Sequence, residues 1–256
     1  MELRGDLHVH TCRSPDSDTT LEQALSAAKA AGLDFLALTD HNLPPDPSLF
    51  PAGRRQGILV IPGVEYSTDR GHLLGLFLER PCPPAEEGRV TFSQAVAWIR
   101  QSGGLAVLAH PFQSTAQTVE ERMAQLESLA PLLDGLEVCN RRATKKRRNA
   151  NSLAEQAKAR FLPRGASTAG SDAHSPQEIG TAVLTVTVEE PTLQALRQAL
   201  TQGAPCSWKT APCGNRLIAK SQRIMLRKTG ASPKAYARWL AFWGLCLVRD
   251  LKQKRA

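Results

Sequence analysis

The chain has 256 residues, 42% of them hydrophobic and 22% charged, enough for a sizeable core and unlike a disordered chain. The net charge is +8, but residues 205–256 hold 12 Lys and Arg against one acid, Asp250 (+11), which leaves −3 on residues 1–204. No apolar run approaches the roughly 20 residues of a membrane span, no secretory pattern fits the first residues, and the six cysteines show no CxxC spacing. The expectation is a cytoplasmic chain with reduced thiols.

Short apolar, β-branched runs predict strands at Leu3–Val9, Phe35–Leu38, Ile58–Ile61, His72–Leu78, Leu105–Ala109, Leu136–Val138, Ala166–Ala169 and 182–188. Helices are predicted between them. Thr19-Thr-Leu-Glu22, Thr91-Phe-Ser-Gln94 and Thr118-Val-Glu-Glu121 read as capping boxes that open three of these. A fourth helix is predicted from Ala143 to Arg160, and a short one over Thr192–Leu200. The segments Leu43–Arg55 and Arg80–Glu87 are rich in proline and read as surface connections. Strand–helix alternation over about 200 residues predicts an α/β fold with a largely parallel sheet. Some seven units favour a closed barrel.

The pattern changes after residue 204. The expected organisation is a near-neutral main domain over 1–204 and a basic extension over 205–256. Residues 205–232 show little periodicity. Residues 233–254 predict an amphipathic helix whose apolar side includes Trp239, Leu240, Phe242, Trp243, Leu247 and Leu251. Such a basic tail suits a polyanionic partner, including nucleic acid, or is simply a solvated face.

All six histidines stand beside predicted strand ends. Asp6-Leu-His8-Val-His10 places two imidazoles on one face of a strand, where both reach one ion. Asp172-Ala-His174 repeats that spacing. Asp40-His41, Glu65 and His110-Pro111 each follow an apolar run, whereas His72 sits at the start of one. Imidazole and carboxylate together suit zinc, iron or manganese. Taken singly, each is more often a satisfied polar residue or a turn former.

The blocks Asp6-Leu-His-Val-His-Thr11, Leu38-Thr-Asp-His-Asn42, Gly63-Val-Glu-Tyr66, Gly71-His-Leu-Leu-Gly75, Ala109-His-Pro111, Gly135-Leu-Glu-Val138 and Gly170-Ser-Asp-Ala-His174 resemble the PHP (polymerase and histidinol phosphatase) family of metal-dependent phosphoesterases. The resemblance spans about residues 3–200. It implies a distorted (β/α)7 barrel holding two or three divalent metal ions, with Mn2+ preferred and Zn2+ or Fe2+ as alternatives. By the family pattern His8, His10 and Asp172 bind the first ion and Glu65 bridges to a second completed by His72 and His110. A third falls to Asp16, His41 and His174, with Asp18 nearby as the competing loop acid. Asp6 and Asp40 are expected behind the imidazoles as orienting acceptors.

The implied reaction is hydrolysis of a phosphate ester by metal-bound hydroxide, without a serine or cysteine nucleophile. The length suits the small stand-alone members, which act on nucleotides, nucleoside bisphosphates or short oligonucleotides, exonuclease action included. Arg141 or Arg142, which open the run Arg141-Arg-Ala-Thr-Lys-Lys-Arg-Arg148, are expected to grip substrate phosphate. The alternatives are a histidinol-phosphate phosphatase and a nucleic-acid-binding accessory protein without turnover.

Overall fold

Side chains alternate across a strand, and this period decides what each strand buries. In the computed structural model, which describes residues 1–50, 55–85 and 90–253, ten strands form two five-stranded sheets. The first holds β1 (Glu2–Val9), β2 (Phe35–Leu38), β3 (Leu59–Pro62), β9 (Ala182–Thr187) and β10 (Cys206–Thr210), in the order β10-β9-β1-β2-β3. The second holds β4 (Val64–Thr68), β5 (Gly71–Leu76), β6 (Leu105–Leu108), β7 (Gly135–Asn140) and β8 (Ala166–Gly170), in chain order. Phe35, Ala37, Leu59, Ile61, Leu74, Leu76 and Val107 share one buried cluster. Their alternates turn outward: Leu36, Leu38 and Val60 meet α1 (Leu21–Ala30), while Val64, Tyr66, Leu73 and Leu108 join the cluster of α2 (Phe92–Gln101), α3 (Val119–Leu129) and α5 (Ala150–Phe161).

The two sheets curve into a distorted barrel that is not continuously closed. Gly63 joins β3 to β4, and a side chain there would sit 2.9 Å from both the Gly75 carbonyl and Thr39 Cγ2. At the other seam a single parallel bridge, Val9 to Ala173, links β1 to the chain beyond β8. Gly170 permits that approach, since an added Cβ would lie 2.3 Å from the Cβ of His8. The sheet is also less parallel than expected: β5 runs against both β4 and β6, and β9 against β1.

Two strands have no counterpart in the sequence-based expectations, β4 and β10. The box expected at Thr19–Glu22 forms one residue later, between Thr20 and Gln23, because Thr19 is buried and its carbonyl is taken by the Cys12 N–H at 2.7 Å. The boxes at Thr91 and Thr118 form where the pattern puts them. The helix expected over 143–160 is broken into α4 (Ala143–Lys146) and α5, with Arg147 extended between them. Arg147 there donates to the carbonyls of Ser114 and Gln117. Residues 51–54 and 86–87 of the proline-rich segments and 254–256 of the tail lie outside the described residues.

Beyond α6 (Leu193–Thr201) the chain crosses residue 204 directly into β10, an edge strand of the first sheet. It then forms a helical hairpin of α7 (Asn215–Lys228) and α8 (Pro233–Gln253). The tail's lone acid holds the hairpin shut. Asp250, near the end of α8, accepts from the backbone N–H groups of Asn215 (2.6 Å) and Arg216 (3.1 Å) at the start of α7. A carboxylate at a helix N-terminus satisfies orphan donors and complements the dipole. Trp239 Nε1 of α8 donates to the Ala219 carbonyl of α7 at 2.7 Å.

Candidate metal centre

The parallel strands end at one rim, and the reversed strand β5 begins there. His8 and His10 project from the end of β1 and are both fully buried. His41 follows β2, Glu65 lies in β4, His72 opens β5, His110 follows β6, and Asp172 and His174 follow β8. His72 therefore belongs to the rim because of strand direction. His110 (φ 25°) and Asp172 (φ 57°) adopt the left-handed region that non-glycine residues seldom occupy, a strain typical of functional positions.

Glu65 is the hub. Its Oε2 lies 3.3 Å from His8 Nε2, 3.3 Å from His10 Nε2 and 3.0 Å from His41 Nδ1. Its Oε1 lies 2.9 Å from His72 Nδ1 and 3.1 Å from His110 Nε2. Asp172 Oδ1 sits 3.8 Å from His8 Nε2 and 3.5 Å from His10 Nε2. Asp16 Oδ2 sits 2.8 Å from His174 Nε2 and 3.7 Å from His41 Nε2. All nine residues named from the family pattern thus share one site. Asp18 is outside it, paired with Arg227 at 2.7 Å.

Several of these atoms are buried without a hydrogen-bond partner: His8 Nε2, His10 Nε2, His41 Nδ1, Glu65 Oε2 and Asp16 Oδ1. Orphaned polar atoms cost free energy, and here they face one another. Divalent cations meet that deficit, and the donor set, imidazole nitrogen with carboxylate oxygen, suits them. Four groups bring their donor atoms within 4.8 Å of each other: His8–His10–Asp172, His8–Glu65–His110, His41–Glu65–His72 and His10–His41–His174. Two or three ions fit these groups.

Ligation needs ionised carboxylates and neutral imidazoles, and the carboxylates meet that need while the imidazoles divide. Burial opposes charge on His8 and His41, but Glu65 with Glu137 and Asp172 around His8, and Glu65 with Asp16 around His41, raise both well above the usual imidazole value, so a bound cation would displace their protons. Burial opposes the charge on Glu65, but His8, His72 and His41 outweigh it and hold the carboxyl well below the usual carboxylate range. Burial is likewise outweighed at Asp172 by His8, His10 and His174. Burial, with His174 and His41 beside it, pushes His10 well below the usual imidazole value.

Behind the imidazoles stands a residue that sequence reasoning did not single out. Glu137 of β7 lies fully buried with Oε1 3.0 Å from His8 Nδ1, while Oε2 accepts from the His110 N–H at 2.7 Å. A carboxylate inside the apolar strand Gly135-Leu-Glu-Val was the available signal. Asp40 touches no imidazole directly. It accepts from Thr11 N (2.7 Å), Thr11 Oγ1 (2.6 Å) and Ser14 Oγ (2.6 Å), and Ser14 Oγ lies 3.2 Å from His10 Nδ1. Asp6 accepts from Ser171 N at 2.9 Å and Ser171 Oγ at 2.5 Å, which ties the β8 end to β1, and burial lifts its carboxyl to about 6.

The arginines lie near the site with their guanidinium groups engaged. Arg141 donates to the Ala211 carbonyl (2.7 Å) and Thr144 Oγ1 (3.0 Å). Arg142 is clamped on Glu178 at 2.9 Å. The basic groups that line the cavity alongside it are Lys145, Lys146 and Arg249. That cavity, about 320 Å³, opens above Glu65 and is walled on its outer side by α7 and α8, through Asn215, Ile218, Gln222, Met225 and Phe242.

A sequence model of the PHP domain matches residues 6–158, and one described as PHP-associated matches 148–205. The chain belongs to the PHP family. Its fold and its His/Asp/Glu cluster are those of a metal-dependent phosphoesterase domain. Among curated relatives, an uncharacterized protein of Methanocaldococcus jannaschii is 30% identical over 149 residues, 54% of this chain and 82% of that protein. The phosphoribosyl 1,2-cyclic phosphate 1,2-diphosphodiesterase of Eggerthella lenta is 39% identical over 85 residues, 30% of this chain and only 32% of that enzyme. Among solved structures, an amidohydrolase from Chromobacterium violaceum with bound sulfate and no metal superposes with a TM-score of 0.58 at 19% identity, covering 76% of this chain and 95% of that one. At that identity the likeness concerns the fold. Among the described residues no helix is long and apolar enough to cross a membrane.

Proposed function

We propose that this PHP protein hydrolyses phosphate esters of nucleotides, nucleoside bisphosphates or short oligonucleotides. One observation carries the choice of substrate: the cavity above Glu65 joins a cation-binding floor to an outer wall that is partly apolar (Ile218, Met225, Phe242) and partly basic (Lys145, Lys146, Arg249). A phosphate suits the floor and the basic groups, and a nucleoside suits the apolar wall. The volume of about 320 Å³ is at the lower end for small-ligand sites, so it favours a mononucleotide or a chain end over a duplex.

Divalent ions held by the cluster, with Mn2+ preferred, supply Lewis acidity and a water that ionises near neutral pH. The protein's part is placement. Asp16, Glu65 and Asp172 supply three negative charges, fewer than two or three divalent ions bring, so an anionic substrate is drawn to the site. Glu137 holds His8, and Asp40 holds His10 through Ser14. The hairpin of α7 and α8 limits water above the reacting phosphate.

The test is release of phosphate by manganese-loaded protein from nucleoside monophosphates, 3′,5′-bisphosphates and histidinol phosphate, and, by chromatography, release of nucleotide from oligonucleotides and ring opening of a ribose cyclic phosphate. The last is included because the Eggerthella lenta relative is named for such a substrate. The expected result is turnover of nucleotide substrates that is lost in His8→Ala and Asp172→Ala. Turnover of histidinol phosphate alone selects the smaller substrate. Salt-sensitive nucleic-acid binding with no turnover of any ester selects a binding protein instead.

A further inference from the structure

We propose that α7 is a strap that positions the third cation site, acting on the two chain segments that present Asp16 and His174. The inference rests on the metal-centre reading above. The family matches end at residue 205, so α7 lies outside them.

The first hold is Lys228, in the last turn of α7. Its ammonium donates to the carbonyls of Cys12 (2.9 Å), Ser14 (2.9 Å) and Ser17 (2.6 Å). An ammonium has three protons, and here each has an acceptor within one loop. Asp16 lies between the last two of those carbonyls. Arg227, the preceding residue, clamps Asp18 with bonds of 2.7 and 2.9 Å. The loop is thus gripped on its outer side by α7, while Asp40 pins its inner side through Thr11 and Ser14.

The second hold is Ser221, in the middle of α7. Its hydroxyl accepts from both Nη1 and Nη2 of Arg142 at 3.2 Å. Arg142 is bonded to both oxygens of Glu178, at 2.9 and 3.2 Å. Glu178 in turn accepts from the His174 N–H at 3.0 Å and the Ser175 hydroxyl at 2.9 Å. One helix therefore fixes both partners of the 2.8 Å contact between Asp16 and His174. Neither hold reaches His72 or Glu137, so the strap acts on one end of the cluster.

Manganese binding is measured on the full chain by calorimetric titration and by metal content after desalting. The variants are Asp16→Asn, Lys228→Met, Lys228→Arg and the double Asp16→Asn/Lys228→Met. Lys228→Met is expected to weaken one manganese site about 10-fold to 100-fold, the usual effect of removing a group that orients a ligand, with the other sites unchanged. Lys228→Arg restores much of the loss. The double variant binds no more weakly than Asp16→Asn alone. Wild-type binding by Lys228→Met while Asp16→Asn loses one ion overturns the strap and leaves the metal centre standing. An Asp16→Asn variant that keeps every ion overturns the place of Asp16 in the third site, and the strap with it, whereas a wild-type chain that takes up no manganese overturns the metal centre itself. If Lys228→Met does not fold, Arg227→Ala carries the test: a milder weakening confined to the same site supports the strap, and unchanged binding rejects it.

Discussion

Glu65 and His72 meet diagonally across an antiparallel pair of strands, Nδ1 of the imidazole 2.9 Å from Oε1 of the carboxylate. Ser67 is the direct partner of His72 and Leu74 that of Glu65, so the two polar side chains sit on one face, two residues out of register. Because β5 runs backwards, its first residues arrive at the rim where the other strands finish.

This relationship ranks two variants. Glu65 reaches five imidazoles, whereas His72 is about a third exposed and touches Glu65 alone among the acids. Glu65→Gln is expected to abolish binding of at least one ion and to lower phosphate release by more than ~100-fold, comparable to loss of an electrostatic group at a reacting centre. His72→Ala is expected to be milder, with activity partly restored at high manganese concentration. Initial rates across a manganese titration check the order, and equal losses would contradict it.

Glu137→Gln retains the shape of the side chain but not its charge behind His8. It is expected to weaken manganese binding about 10-fold to 100-fold while leaving the circular dichroism spectrum unchanged. Calorimetric titration at fixed pH reads the effect. Wild-type affinity in this variant would show that the backbone, not the carboxylate, sets the orientation of His8.

Asp250 secures the far end of the roof. Its loss in Asp250→Ala leaves the first N–H groups of α7 without their carboxylate acceptor, a contact comparable to an N-cap at about 0.5–2 kcal/mol. Amide exchange should then quicken in α7 and α8 first, with the barrel strands protected as before. The KM for nucleotides should rise, because Ile218, Met225 and Phe242 lose their fixed places, while kcat for a small aryl phosphate changes little. A uniform increase in exchange over the whole chain would mean that the hairpin is not a separable unit.

Cys139 gives a test with a pH sign. Burial, helped by the carboxylates of Glu137 and Glu155, pushes its thiol up to about 12. Only the thiolate is alkylated, so at pH 8 roughly one molecule in 10⁴ is reactive at that position. Cys12 is exposed. Iodoacetamide at pH 8 is expected to modify Cys12 and spare Cys139, and to reach Cys139 only as pH nears 12 or the protein unfolds. Peptide mapping at pH 8 and pH 10 decides it.

The legible parts of the sequence were those whose periodicity serves the core. β1, β2, β6 and β8 stand where short apolar runs put them, and spacing alone put His8 with His10. β4 was hidden because its second residue is Glu65, so that Val64 to Thr68 reads as a loop after Gly63. β10 was hidden because Ser207, Lys209 and Thr210 of this edge strand are exposed and leave no apolar stripe. α7 is a different case: Leu217, Ile218, Ile224 and Met225 do recur at helical spacing, but the many Lys and Arg between them masked the pattern. Strand direction leaves no trace in composition, which is why the place of His72 became intelligible only with the sheet in view. The family pattern named the candidate ligands, with Asp6 and Asp40 behind them; Glu137 emerged only from contacts.

The kink at Gly63 has one more effect. It sends β3 on into β4, and so delivers Glu65 from the barrel wall instead of from a rim loop. The carboxylate that belongs to two of the four donor groups is thereby held by strand pairing, bridged to His41 on one side and paired with Leu74 on the other. Loops and appended helices around the rim can therefore shift or lengthen without displacing the bridging carboxylate.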